Sequence, residues 1–307
     1  MPPILGGFYL MGNSSSNISK EIHDQYYTPL KNAEWCLTFL QNEVGWSLEG
    51  TALEPCVGTG NFVKASESLK LKLSWTTNDF FPNPSFLPDT QEDIRTLQPE
   101  SKPDFIITNP PFGSTNTLAR GSLKHCLTIC DRVAMILPKG ARRLGFLDSQ
   151  PDFAHLVSDV DVPDMIYELP TGGQRTVSTC LQAWEVKDTK RLKIRDSLDL
   201  RSDFITFWAS GKSNFADNGG GLADFQVCRW GGLKMNVIRD ELKQSGAWMS
   251  VKVNPLVSVE KMKEVIKSVD VSDYLEKSTC NAAFDPPVWL HRVNTIAIQQ
   301  IGLPPTK

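Results

Sequence analysis

The chain has 307 residues, 40% of them hydrophobic and 22% charged, enough apolar material for one large domain or two unequal ones. This composition excludes a disordered or low-complexity chain, and no run of about eighteen apolar residues predicts a membrane span. The formal net charge of -3 excludes a uniformly basic nucleic-acid coat, although the charges are uneven. Residues 1–189 hold 15 basic and 22 acidic side chains, and residues 190–307 hold 17 and 13. That asymmetry fits phosphate binding by the second part, and fits chance equally. The seven cysteines are scattered without a C-x-x-C pair or zinc-like spacing, which suggests a reducing compartment and no metal. The apolar start MPPILGGFYLMG has no basic leader, so an intracellular protein is expected.

In chain order, residues 1–22 read as a loose tail rich in Gly, Ser and Asn. Thr28 then Pro29 predicts a capped helix start, and Leu30, Ala33, Leu37, Leu40 and Val44 continue at helical spacing. Thr51 to Val57 predicts a strand ending in Gly58-Thr59-Gly60, followed by a helix to about Lys70. Leu73 to Asn78 predicts a second strand closed by Asp79, and Asp104 to Thr108 a third ending at Asn109-Pro110-Pro111-Phe112. A helix over Leu118 to Cys130 and a strand over Val133 to Leu137 come next. Met165 to Leu169 and Thr176 to Val186 read as two strands joined by a Gly172-Gly173 turn. Alternating strands and helices predict an α/β fold, with a mostly parallel Rossmann-like sheet covered on both faces. Ligands of such sheets bind at the carboxyl ends of the strands, where each polar motif here falls. Beyond about residue 190 the pattern becomes mixed, with Gly219-Gly220-Gly221, Gly231-Gly232, several Trp and a helix near Val259 to Ser268. This reads as a smaller α+β region. The expected organisation is therefore a tail (1–22), a catalytic domain (23–190) and a target-recognition region (191–307).

Leu53-Glu54-Pro55-Cys56-Val57-Gly58-Thr59-Gly60-Asn61-Phe62 runs from a strand through a glycine turn into a helix. Glycines permit positive φ and a close ligand approach. A lone G-x-G is more often an ordinary turn, but the flanking Glu-Pro and Asn-Phe add specificity. The segment resembles the cofactor loop of adenine-N6 and related amino-methyltransferases. The resemblance implies that Pro55, Gly58 and Gly60 wrap the methionine part of S-adenosylmethionine, that Glu54 holds its ammonium and that Phe62 packs beside it. Asp79 either accepts ribose hydroxyls or starts a solvated loop. Asp93, followed by Ile94, either meets the cofactor's adenine amino group, as in similar enzymes, or is a surface acid. Tyr26-Tyr27-Thr28-Pro29 resembles the aromatic-x-Thr-Pro segment that closes over S-adenosylmethionine in DNA methyltransferases.

Asn109-Pro110-Pro111-Phe112 carries the strongest signal. The lone pair of adenine N6 is delocalised into its ring, so the amine is a poor nucleophile. The Asn109 side-chain oxygen and the Pro110 carbonyl can accept its two N–H groups and free that lone pair. The two prolines stiffen the acceptors, and Phe112 offers a face for stacking the base. The motif order resembles the gamma arrangement of DNA adenine-N6 methyltransferases over residues 23–187. The resemblance implies S-adenosylmethionine as cofactor, DNA as substrate and a cytoplasmic or nucleoid-associated enzyme. RNA adenine as substrate, and a non-catalytic nucleic-acid-binding subunit, are the rival readings.

Other features are weaker. Asp285-Pro286-Pro287-Val288 imitates the catalytic motif without its aromatic and reads as a rigid turn. Cys126 and Cys130 read as a half-buried helix face. Arg142, Arg143, Gln174 and Arg175 are candidate substrate contacts or plain surface, and Trp208, Trp230 and Trp248 default to core.

Overall fold

The computed structural model describes residues 25–113, 116–164, 166–170, 172–210, 222–229, 236–245, 247–270 and 285–302. The predicted tail, Gly219-Gly220-Gly221, Gly231-Gly232 and Trp230 lie outside them. The chain divides into two compact units. One comprises Met1–Pro138 and Phe153–Lys190; the other comprises Lys139–Asp152 and Arg191–Lys307.

In the first unit, α1 (Leu30–Asn42) precedes β1 (Glu49–Glu54), α2 (Asn61–Ser68), β2 (Lys72–Thr77), β3 (Phe105–Thr108), α3 (Thr117–Ile129) and β4 (Arg132–Pro138). After α4 (Leu144–Leu147), which belongs to the second unit, come β5 (Ala154–Asp161), β6 (Ile166–Glu168), β7 (Gln174–Thr176) and β8 (Thr179–Val186). Six strands form one sheet in the order β2-β1-β3-β4-β8-β5. The first four are parallel, and β8 runs antiparallel to both of its neighbours. The sheet is α/β and Rossmann-like. The chain moves outward from β1 to β2, then returns to lay β3 on the other side of β1. That reversal is the switch point at which such sheets open a crevice.

Apolar runs explain the centre. FIIT of β3 is wholly buried, as is VAMIL within β4, as expected for strands covered on both faces. On α1, Ala33, Cys36, Leu37 and Leu40 share the buried face.

Two expectations are corrected, and one strand is added that the sequence pattern does not announce. Thr28 does not cap α1: Pro29 holds the cap position and no side-chain cap bond forms, because the Thr28 hydroxyl is engaged elsewhere. The Gly172-Gly173 turn joins β6 to β7, not to the long strand. Thr176 pairs with Ile166, while Thr179–Val186 crosses into the main sheet. The edge strand β5 carries no apolar run, since LVSDVD alternates between intermediate and exposed positions.

The second unit holds β9 (Ile205–Ala209), β10 (Phe225–Cys228), β11 (Ile238–Arg239) and β12 (Trp248–Val253), an antiparallel sheet in the order β11-β10-β12-β9. Helices α5 (Val259–Ser268) and α6 (Pro286–Ile301) follow. Asp285-Pro286-Pro287 is not a free-standing turn. It opens α6, with Asp285 at the cap and the prolines in the first turn, where no N–H is required. Trp289 of α6 is fully buried in this unit's core; its Nε1 donates to Asn236 Oδ1 at 3.0 Å and Phe207 meets it edge-on at 5.6 Å. Trp248 is half-buried beneath the Arg239 guanidinium, 4.0 Å from its ring centroid.

Replacing Trp289 by Ala leaves a large cavity and an unpaired Asn236 oxygen. The expected loss is about 3–5 kcal/mol of unfolding free energy in urea. A loss below about 1 kcal/mol would mean that the second unit does not depend on this ring.

Candidate active site

The loops after β1, β2 and β3 meet at the carboxyl edge of the sheet. After β1, Gly58 and Gly60 take φ of +51° and +74°, a region that favours glycine. Their missing side chains are as informative. A Cβ on Gly58 would lie 2.8 Å from the Tyr27 ring, and one on Gly60 would lie 2.1 Å from the Phe86 ring. The loop can therefore run close beneath both aromatics only as glycine.

Asn78 follows β2, has no exposed surface and makes six hydrogen bonds. Its backbone donates to Glu54 O at 2.9 Å and accepts from Val57 N at 3.0 Å. Its Nδ2 donates to Pro55 O and Glu92 O, both at 2.9 Å, and its Oδ1 accepts from Thr90 Oγ1 and Glu92 N, both at 2.8 Å. One amide thus ties the glycine loop to the loop that carries Glu92 and Asp93. Asp79 follows. Its Oδ2 accepts from Gly58 N at 2.8 Å and its Oδ1 from Phe81 N at 2.9 Å. Burial holds this carboxyl above its ordinary range, and the two N–H donors pull it back. Asp93 binds the Arg95 guanidinium, which, with burial opposing, holds its carboxyl below the usual range.

Asn109 follows β3. Its Nδ2 donates to Tyr26 O at 2.8 Å and to Thr28 Oγ1 at 3.1 Å. A carbonyl can only accept, so the amide nitrogen must face Tyr26 and the amide oxygen must face away. That oxygen, Oδ1, is buried and accepts no hydrogen bond. Asn61, at the start of α2, donates to Thr28 O at 2.8 Å, and Tyr27 exchanges two backbone bonds with Glu168 of β6. The Tyr26–Thr28 segment is therefore clamped on three sides.

These groups surround a cleft of about 820 Å³, counting its mouth open to solvent. Of the predicted residues, Tyr26, Tyr27, Pro55, Gly58, Asp79, Asp93, Asn109, Pro110 and Pro111 line it. Thr28 and Phe62 line a smaller adjoining recess. Pro29, Glu54, Gly60 and Phe112 line neither. Pro29 starts α1. Glu54 is buried below the loop, accepts from Cys56 N at 3.2 Å, and is held by that burial well above the usual carboxylate range. Gly60 lies against Phe86. Phe112 is 6% exposed behind Tyr26, whose ring stacks on it at 5.9 Å and 25°.

Sequence reasoning missed Asn78, the Phe80–Phe81 pair and Ser122. Phe80 and Phe81 line the cleft, and two adjacent aromatics in a polar loop were a usable signal. Ser122 of α3 also lines it, with a buried hydroxyl that has no partner. Nothing in the pattern around Asn78 or Ser122 marks either. Gln174 and Arg175 sit on β7, where Arg175 Nη1 donates to the Tyr26 hydroxyl at 3.0 Å. Among the described residues no His, Cys, Asp or Glu cluster could hold a metal, and no helix is long and apolar enough to cross a membrane.

No protein-family model matches the chain, and no curated protein matches it. Solved structures overlap it in part. A candidate RNA methyltransferase from Pyrococcus horikoshii is 19% identical, with 54% of this chain and 89% of that one aligned at a TM-score of 0.42. A candidate class I S-adenosylmethionine-dependent methyltransferase from Listeria monocytogenes is 12% identical over 60% and 66%, with a TM-score of 0.41. A type I restriction-modification methyltransferase subunit from Streptococcus thermophilus is 14% identical over 57% and 48%, with a TM-score of 0.36.

Asn78→Ala would strand several buried donors and acceptors at once. It should lower the unfolding free energy by about 2–4 kcal/mol, read by urea denaturation. A change below about 1 kcal/mol would show that the two loops hold together without it.

Proposed function

We propose that the chain methylates the exocyclic N6 amino group of adenine in DNA, using S-adenosylmethionine. One observation carries this reading: Asn109 lines the cleft, its amide is pinned through the nitrogen, and its buried oxygen accepts nothing. Leaving such an acceptor unsatisfied costs about 1–3 kcal/mol, and a substrate amine would satisfy it.

The cleft fits the cofactor. Its charged lining is Asp79, Glu92, Asp93 and Arg95, an acidic excess suited to a ligand bearing a sulfonium and an ammonium group. The backbone of the Gly58 loop would cradle the methionine part, and Asp79 would accept from the ribose hydroxyls with its remaining lone pairs. Bound there, S-adenosylmethionine supplies a methyl group on a sulfonium leaving group.

Asn109 Oδ1 accepts one N–H of the adenine amine and the Pro110 carbonyl accepts the other. These bonds draw electron density onto N6 and out of ring conjugation. The nitrogen then forms the new N–C bond as the S–C bond breaks, and the surplus proton on N6 passes to solvent. Most of the rate comes from positioning and from the fixed acceptors. Tyr26 is the ring of the Tyr26–Phe112 stack that lines the cleft, so a base extruded from the duplex would meet Tyr26 first.

Labelled methyl transfer to duplex DNA, single-stranded DNA, RNA and protein tests this reading. The expected product is N6-methyladenine in DNA. Asn109→Ala should lower the rate at least ~100-fold while calorimetry shows cofactor affinity little changed. Label confined to RNA would overturn the DNA assignment, and no cofactor binding would overturn the enzyme. Affinity for S-adenosylmethionine should also depend on pH. The ionised Asp79 is the acceptor, so binding is lost as pH falls through its pKa. Because that pKa is raised, the loss should begin above the ordinary value of 3.8. Asp79→Asn should bind weakly with no such step, and a wild-type profile flat down to about pH 4, near the ordinary carboxylate pKa, would exclude the role.

A further inference from the structure

Tyr26 serves the site twice. Its carbonyl accepts from Asn109 Nδ2 at 2.8 Å and so turns that amide. Its ring lines the cleft, with Phe112 stacked behind it. Backbone structure fixes the carbonyl, because the next residue, Tyr27, exchanges bonds of 2.9 and 3.1 Å with Glu168 of β6. It does not fix the half-buried ring, which still has its side-chain rotamers to choose from. Three side chains make that choice. Phe112 stacks on the ring at 5.9 Å, Tyr167 meets it at 6.4 Å with the planes 71° apart, and Arg175 Nη1 donates to its hydroxyl at 3.0 Å.

Tyr167 and Arg175 both come from the β6–β7 hairpin, which pairs outside the main sheet. They are partners in its register, so their side chains leave the hairpin on the same side. Tyr167 is fully buried, and its hydroxyl bonds to Thr179 Oγ1 at the start of β8, which anchors the hairpin. Arg175 is exposed. Its guanidinium carbon stands 5.7 Å from the Tyr26 ring centroid. A group at that distance that also donates to the hydroxyl sits off the hydroxyl end of the ring, not over its face. Phe112 therefore takes one face and Arg175 takes neither. An exposed hydrogen bond of this kind adds little to folding stability, because water replaces it. What it decides is the direction of the ring.

We propose that Arg175 is a positioning residue for methyl transfer: it holds the Tyr26 hydroxyl and so keeps the ring on Phe112, where it receives the target base. This deepens the methyltransferase reading and rests on it for what the ring receives. Arg175 acts through Tyr26 and touches neither the base nor the cofactor. The planar guanidinium fork fixes the hydroxyl in direction as well as distance.

Methyl transfer by the full chain to mixed-sequence duplex DNA, or to RNA if that alone accepts label, separates kcat from KM at saturating S-adenosylmethionine. R175M keeps the apolar stem and loses the donor. It should lower kcat at least ~10-fold. KM for the nucleic acid, cofactor affinity and the urea midpoint should stay nearly unchanged, because a misplaced ring costs correctly placed base and not bound strand. Y26F removes only the hydroxyl and should lower kcat by the same factor. The double variant should fall no further than either single one, and R175K, still a donor, should keep most of the rate. The chain has five tyrosines, so NMR of ring-labelled tyrosine in the free protein can follow Tyr26, whose signal should shift or broaden in R175M. An unchanged kcat in R175M overturns the proposal, and so does an unchanged Tyr26 signal. A further loss when R175M is added to Y26F also overturns it, since the guanidinium would then act on the substrate directly. A wild-type chain that labels neither nucleic acid overturns the proposed reaction and this role together. An active wild type with indifferent variants overturns the role alone.

Discussion

The cleft depends on a single buried amide. Asn78 has no exposed surface, and its backbone and side chain make six hydrogen bonds to the turn after β1 and the loop after β2. These two loops carry the glycine turn on one side and Glu92 and Asp93 on the other. Parallel strands fix only where such loops start. What fixes the distance between them here is a side chain with two donors and two acceptors, all used. Asp79, the next residue, extends the same logic by committing one lone pair of each oxygen to the loops. The rest remains for whatever lies in the cleft.

The second constraint is directional. Asn109 could present either end of its amide to the cleft, and its neighbours decide which. The Tyr26 carbonyl accepts from the nitrogen, and the Thr28 hydroxyl accepts as well. The Tyr26–Thr28 segment is remote in sequence from Asn109, yet it is held by Asn61 and by the bridge to β6. An N-terminal segment that reads as a helix cap thus serves to aim an acceptor. The same segment covers Phe112 with the Tyr26 ring, so the aromatic of the motif is second in line from the cleft.

Much of this was legible in the chain, and the failures have physical reasons. The central strands β3 and β4 announced themselves as apolar runs because both faces are covered. The motifs fell at strand ends because a polar residue after such a run has nowhere else to go. The edge strand β5 gave no such run, since one side of it is wet. Thr28 was misread because a hydroxyl before Pro29 satisfies the local rule for a cap, and only tertiary structure reveals that Asn109 competes for it. Asn78 was invisible because a polar residue beside Asp79 looks like one more solvated loop position. Its burial comes from residues some twelve to twenty-three positions away. In the second unit Asp285-Pro286-Pro287 looked like a turn because the helix that it opens lies after it.

The pinned amide bears on how the protein ages. Asparagine converts to aspartate chiefly when the backbone nitrogen of the next residue attacks the side-chain amide and closes a five-membered imide. Pro110 has no N–H to lose, so that cyclisation is closed to Asn109. The protection matters at this position more than at most. An aspartate here would turn a carboxylate oxygen towards the Tyr26 carbonyl, two acceptors at hydrogen-bond distance with no proton between them unless the acid were protonated. The proline that stiffens the motif therefore also guards its amide against slow chemical decay, and the lifetime of the site is set by other residues.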